Sequence, residues 1–462
     1  MAVATSNVVA EFCRRTPGSA RLAAEARGLF PSGIAHDSRR LVPYPIYIAR
    51  AEGSRKWDVD GNEYVDYAGG HGALLFGHNH PPVVAAIERQ LALGTHYGSC
   101  HEGEIQWAEA VRDLIPSCER IRFTNSGTEA TLLAMRLARA FTHKSKIVRF
   151  ARHFHGWHDH AAFGVSSHFD GTPTPGVPWD LTRDINLVED RNLAALEETL
   201  SAKDIAAVIV EPTGASWGQV PLRDGFLKAL RELTAARGII LIFDEVISGF
   251  RCSPGGAQAV FNVRPDLTTL AKILAGGLPG GAVGGREEIM HWLAFPADVD
   301  PSHRPAYYGH EKIPHYGTFN ANPLSAAAGV ATLDLVATTD ACQRANHYAQ
   351  QLRERLNQVF AAEEVPWIAY GSFSGFHFFT NPAGKAITQS EIERGEHGPE
   401  VLKAATRPDL INRFRLGMLL HGVDMLGWPG GPTSALHTNA DLEQTVSACR
   451  ETLRMLRAEA LL

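Results

Sequence analysis

Three stretches of the 462-residue chain place reactive side chains among apolar neighbours. In "GIILIFDEVISGF", residues 238–250, five apolar residues run directly into Asp244 and Glu245. A carboxylate at the C-terminal end of a parallel strand lies where open α/β sheets bind ligands. Such an acid can hold a proton on a heterocyclic nitrogen, because either charge left unpaired in a dry site is costly; a strand-end acid facing water is the plain alternative. In "TTLAKILAGGLPGG" Lys272 is bracketed by apolar and glycine residues. Such surroundings push an amine toward its neutral, nucleophilic form, whereas a solvated helix lysine would do nothing. In "RFTNSGTEATLLAMRLARA", residues 122–140, a strand end passes into Ser126, Gly127 and Thr128 and then into a helix with Glu129 in its first turn. Free N–H groups and hydroxyls at a helix N-terminus make an anion site, and the same residues also spell an ordinary cap.

Taken together, a phosphate cradle, an acid for a ring nitrogen and a nucleophilic lysine are the three attachment points of pyridoxal 5'-phosphate. Other features point elsewhere or nowhere. His153, His155, His158 and His160 are dense but lack zinc-motif spacing and any companion cysteine, so no metal is expected. The run "GGLPGGAVGG" follows Lys272 and lacks the spacing of a nucleotide loop, which leaves close backbone approach as its role. Trp157 and Trp217 would either line a substrate pocket or fill core space.

The elements that must position these groups alternate between short apolar runs and helical segments from about 121 to 325, the pattern of a mostly parallel sheet with helices on both faces. "KIVRF" (146–150), "IAAVIV" (205–210) and "GIILIF" (238–243) read as strands, and "GFLKALRELTAARG" (225–238) as a helix between the last two. "WDVDGNEYVDYAGG" reads as a hairpin turning at Asp-Gly. The expected organisation is an α/β large domain over 76–325, flanked by a smaller α+β domain built from an N-terminal segment, 1–75, and a C-terminal part, 326–462. A net charge of -6 offers no footprint for nucleic acid. Six scattered cysteines fit reduced thiols, and neither a leader nor a membrane span is legible, so a cytoplasmic protein is expected.

The order "FTNSGTEA", "FHG", "VIVEP", "LIFDEV", "PDLTTLAK", "GTFNANPLSAAAG" resembles the class III (omega) aminotransferases of fold-type I, in particular the branch holding glutamate-1-semialdehyde 2,1-aminomutase and beta-amino-acid aminotransferases. The resemblance covers about 28 to 330 strongly and echoes at "LLHGVDML". It implies a pyridoxal phosphate enzyme in which Lys272 is the Schiff-base lysine and proton shuttle, and Asp244 pairs with the pyridine nitrogen. Ser126, Gly127 and Thr128 would hold the phosphate. Phe154 and Val246 would pack on the two ring faces, Glu211 would be an active-site acid, and Ser216 would stand where aminomutases carry an asparagine. Thr318 would reach the phosphate of a neighbouring subunit, which makes a homodimer with shared sites the expected unit.

Two departures bear on the reaction. Where the aminomutase pattern has "GGVNSPVR" this chain has "PSGIAHDSRR", which keeps Arg39 but not the Ser-Pro before it; where that pattern has Ser-x-Phe-Glu, "GWPGGPTSALHT" has no acid. Both touch substrate handling and leave the cofactor motifs intact. The expected reaction is ping-pong exchange between a beta- or omega-amino acid and a 2-oxo acid, with intramolecular transfer of the aminomutase kind as the alternative. Arg39 is the leading candidate for a substrate carboxylate, ahead of Arg40, Arg413 and Arg415. A cofactor-free scaffold on the same fold is the competing class of function, and retention of all three attachment points argues against it.

Overall fold

The strand Ile205–Val210 is buried along its whole length, and a strand covered on both faces belongs inside a sheet. In the computed structural model, which describes residues 7–295, 298, 311–403 and 407–462, it is central to a seven-stranded sheet. The order is Arg120–Thr124, Gly281–Gly285, Leu267–Ala271, Ile240–Asp244, Ile205–Val210, Lys146–Phe150, Ile185–Val188. Six strands point one way; Gly281–Gly285 runs against both its neighbours.

Strand alternation sends successive residues to opposite faces. Ile240 and Ile242 join Ile147 and Ile209 beneath Ala130, Leu133, Ala134 and Leu137 of the helix Gly127–Thr142. Leu241 and Phe243 join Val148, Phe150 and Val208 against Phe226, Leu227 and Leu230 of the helix Phe226–Ala236. The fold is therefore α/β with helices on both faces. The acid-ended strand starts at Ile240 and takes in Asp244 itself, so the carboxylate is the strand's last residue. The glycine run gives half of its length to the strand Gly281–Gly285. A Cβ on Gly281 would meet the Ser126 carbonyl, and one on Gly284 would meet Cys118 Sγ, which is the close approach that glycine permits.

The described chain divides into two units, Pro82–Asp340 and Met1–Pro81 with Ala341–Leu462. The helix Pro323–Thr338 goes with the first because it packs on the helix Glu102–Leu114 and on the turn Lys272–Ala275. In the second unit the strands Arg55–Asp58 and Glu63–Asp66 form the antiparallel hairpin. Asp58 Oδ1 accepts from the N–H groups of Asp60 and Asn62 to close the turn, and Gly61 supplies φ +86°. Ile48–Glu52 and Val423–Asp424 complete this sheet. A second sheet of Ile368–Tyr370, Gly375–Phe379 and Gly430–Pro432 shares a core with the helices Ala341–Ala362, Pro408–Leu420 and Asn439–Ala458. Among the described residues no helix is long and apolar enough to cross a membrane.

Candidate active site

The adjacent acids do different work. Glu245 is buried and accepts from the N–H groups of Ala257 and Gln258, from Gln258 Nε2 and from Ser248 Oγ. Those side-chain hydrogen bonds tie down the 248–258 segment. Asp244 Oδ1 accepts from Val246 N (3.1 Å) and Thr269 Oγ1 (3.2 Å), while Oδ2 lies 2.7 Å from His155 Nδ1. Burial pushes the Asp244 carboxyl up to about 7, against the pull of the Val246 and Thr269 hydrogen bonds and the Lys272 charge. Burial and the Arg149 guanidinium hold His155 well below the ordinary imidazole range, so it is neutral and donates its Nδ1 proton to the carboxylate.

Lys272 stands immediately after the strand Leu267–Ala271 with φ +55°. Burial and then Arg251 lower its ammonium pKa, with Asp244 and Glu211 opposing. The position requires a left-handed backbone that side-chain-bearing residues rarely adopt. Arg152, Ser216, Trp217 and Phe250 share it, and strained backbone of this kind concentrates at functional sites.

Close contacts link the remaining groups. Ser126 is the N-cap of Gly127–Thr142, its hydroxyl accepting from Glu129 N at 3.2 Å while Glu129 Oε2 accepts from Asn125 N at 2.7 Å. The capping pattern is thus present, and the N–H groups of Gly127 and Thr128 open the same helix. A Cβ on Gly127 would come within 2.8 Å of Val246, and one on Gly156 within 2.7 Å of Thr128 Oγ1. Thr131 Oγ1 donates to the His155 carbonyl at 2.6 Å. The helix N-terminus, the 154–156 loop and the Asp244 strand end therefore converge on one place.

Glu211 is buried and accepts from the N–H groups of Phe154, Ser216 and Trp217. Burial and the Asp244 charge push its carboxyl up to about 7. Ser216 Oγ donates to the Arg152 carbonyl at 3.4 Å. Phe154 is 53 % exposed and Trp157 79 %, whereas Trp217 is 6 % exposed and lies against buried Arg251. Thr318 is exposed, in a segment fastened by Asn125 Nδ2 donating to Asn320 Oδ1. Of the four histidines, His153 Nδ1 accepts from Glu211 N, His155 meets Asp244, His158 neighbours Thr131 and His160 neighbours Arg139.

The candidate substrate arginines belong to the other unit. Arg39 and Arg415 line a cavity of about 430 Å³ there, with Phe30, Ile34, Leu41 and Ile46 among its walls. Arg413 is bound to Glu459 at 2.9 Å, and Arg40 offers its carbonyl to Arg415 Nη1 at 3.4 Å. Thr269 and Arg251 were not singled out from the sequence as site residues. His155 stood out as one of four dense histidines and within "FHG", but nothing local reveals its bond to a residue 89 positions along the chain.

This donor set suits a phosphorylated pyridine aldehyde. Helix N–H groups and a hydroxyl favour a phosphate. A dry carboxylate whose charged form is disfavoured needs a cation such as a protonated ring nitrogen. The Lys272 amine, inclined toward its neutral form, suits attachment to an aldehyde.

Comparison with known proteins agrees. The model of the family "Aminotransferase class-III" matches residues 36–397. Glutamate-1-semialdehyde 2,1-aminomutase of Sulfurisphaera tokodaii is 40% identical over 359 residues, covering 77% of this chain and 82% of that protein. An omega-transaminase from Sphaerobacter thermophilus superimposes with a TM-score of 0.84 at 33% identity, over 96% of this chain and 99% of that one. A beta-phenylalanine aminotransferase from Variovorax paradoxus gives 0.83 at 29% identity, over 98% and 97%. With the matched family model spanning most of its length and a donor set that suits pyridoxal phosphate, the chain belongs to the class III aminotransferases, enzymes that depend on that cofactor.

Proposed function

We propose that the protein exchanges an amino group between a beta- or omega-amino acid and a 2-oxo acid by a ping-pong mechanism. The observation that carries this reading is the cavity shared by Arg39 and Arg415. Its walls include Phe30, Ile34, Leu41 and Ile46, and its acid, Asp424, is held by Lys56 Nζ at 2.5 Å. Two guanidiniums suit carboxylates, and apolar walls suit a side chain larger than that of glutamate semialdehyde. The omega-transaminase and beta-phenylalanine aminotransferase likenesses support the same reading.

When bound, pyridoxal phosphate supplies the electron sink for breaking a bond at the amino-bearing carbon. Lys272 would hold the cofactor covalently, and its amine would serve as the base that moves the proton at the amino-bearing carbon. Asp244 would pair with the ring nitrogen. Ser126, Gly127 and Thr128 would take the phosphate, and Phe154 and Val246 would pack against the ring. Glu211 and Ser216 would be further active-site residues, and Trp157 and Trp217 would line the substrate pocket. Thr318 is exposed between exposed Tyr316 and Phe319, a surface that suits a second copy of the chain, whose phosphate Thr318 would reach. Mixing inactive Lys272→Ala and Thr318→Ala subunits tests this: restored activity in mixed dimers supports it, and a fully active monomer rules it out.

A second reading, intramolecular transfer as in the aminomutases, is favoured by the name and 40% identity of the Sulfurisphaera tokodaii relative. The acceptor decides. Enzyme loaded with pyridoxamine phosphate and washed free of donor should regain its visible absorbance on adding 2-oxoglutarate or pyruvate, with glutamate or alanine appearing. Isomerisation of glutamate-1-semialdehyde with no need for an external acceptor would establish the aminomutase reading instead.

A further inference from the structure

Ser216 and Trp217 are consecutive residues in the left-handed region, with φ +51° and +57°. Each such non-glycine residue is strained, and two in succession persist only where the surroundings impose them. The turn that holds them is tight. Ala215 and Val220 exchange backbone hydrogen bonds, and Gly214, at φ +98°, leaves no room for a Cβ beside Leu222 N and Pro221. Glu211 reaches the backbone of this turn with its carboxylate. Its Oε1 accepts from Phe154 N at 2.7 Å and Ser216 N at 2.9 Å, and its Oε2 accepts from Trp217 N at 2.9 Å. The strained pair and the chain of Phe154, 57 positions earlier than Glu211, hang on one carboxylate.

We propose that Glu211 is a positioning residue whose carboxylate locks the left-handed Ser216–Trp217 backbone to the Phe154 segment, and so fixes where these two aromatics stand. The role calls for an anion that accepts at both oxygens. A glutamine of the same shape would turn an NH2 group toward one of the three N–H donors, donor against donor. The charge also strengthens each bond in a dry site. Trp217 transmits the placement, since its ring lies against the buried Arg251 guanidinium at 5.8 Å. Arg251 is in turn among the charges that act on Lys272. The link to the cofactor ring rests on the proposed place of Phe154; the clamp on the 216–217 turn does not.

The test is a cycle of Glu211→Gln, Ser216→Gly and the double variant, since glycine fits the backbone of residue 216 without strain. Melting of the cofactor-free proteins comes first, because it is independent of which reaction is catalysed. Glu211→Gln should lower the melting temperature by roughly 5 °C, and Ser216→Gly should recover at least half of that loss. In the holoenzymes the visible circular dichroism of the bound cofactor should weaken in Glu211→Gln at undiminished cofactor content, with partial recovery in the double variant. Should Glu211→Gln fail to fold, a folded double variant supports the clamp and an unfolded one overturns it. Unchanged melting and dichroism in Glu211→Gln, or no recovery from Ser216→Gly, also overturns it. Recovery of melting without recovery of dichroism would retain the clamp and remove its link to the cofactor.

Discussion

The Nδ1 atom of His155 lies 2.7 Å from Oδ2 of Asp244, both side chains being buried. A neutral imidazole on one oxygen and the Val246 and Thr269 donors on the other leave the carboxylate oriented from both sides. In this arrangement His155 does not carry charge to the site; it fixes the acid.

Removing that donor should therefore cost rate more than fold. His155→Ala is expected to lower kcat by about tenfold or more, the loss that accompanies one buried hydrogen bond to a charged group. Steady-state kinetics beside the melting temperature measure it. A variant with ordinary kcat would show that Asp244 is held well enough by Val246 and Thr269.

The acids also predict a pH dependence. The Asp244 carboxyl rises from 3.8 to about 7 and that of Glu211 from 4.5 to about 7, chiefly through burial. A raised acid means that the folded chain binds the proton more tightly than the unfolded chain does. Their contribution to the stability of the cofactor-free protein is present below about pH 4 and is lost as pH rises to about 7. Each pK unit corresponds to about 1.4 kcal/mol. Urea unfolding between about pH 5 and 7 should show stability falling with pH, and Asp244→Asn should flatten the slope. An Asn variant with the parent slope would assign the titration to another group.

How much of this was legible beforehand depended on the range of the interaction. The strands 146–150 and 205–210 were readable because buried parallel strands are continuous apolar runs, and the end of the acid-bearing strand was readable from the abrupt change of polarity at Asp244. Lys272 and the Ser126 helix start were local signals too. The His155 contact with Asp244 and the Phe154 N–H held by Glu211 join residues 89 and 57 positions apart, and only the folded chain brings them together. The arginines were ambiguous for a further reason. Sequence gives no account of which guanidinium is already paired, and the Arg413 bond to Glu459 settles that for one of them.

Lys272→Ala should abolish turnover and leave the fold in place. The substitution removes the amine and leaves the capped helix start at Ser126 untouched, so cofactor should still bind, without covalent attachment. Borohydride reduction followed by peptide mass measurement reads this directly: label on Lys272 in the parent and on no lysine in the variant. Label on a different lysine of the parent would displace Lys272 from its role.

The arginines of the cavity offer the sharpest test of substrate class. Arg39 is exposed, whereas Arg415 is partly buried and its Nε has no hydrogen-bond partner among the described residues. Its Nη1 donates a long hydrogen bond to the Arg40 carbonyl, 3.4 Å. Burial lowers its pKa, with Asp424 opposing, and a desolvated guanidinium gains most from a carboxylate that reaches it. Arg415→Ala should raise KM for a carboxylate-bearing donor by about ten- to a hundredfold, the range for a charge-assisted hydrogen bond, with a smaller effect from Arg39→Ala. An amine donor lacking the carboxylate should respond weakly to either change, and Arg413→Ala should leave both donors near the parent values because Glu459 already occupies it. Equal losses for donors with and without the carboxylate would mean that the arginines support the cavity wall, and would take the carboxylate anchor elsewhere.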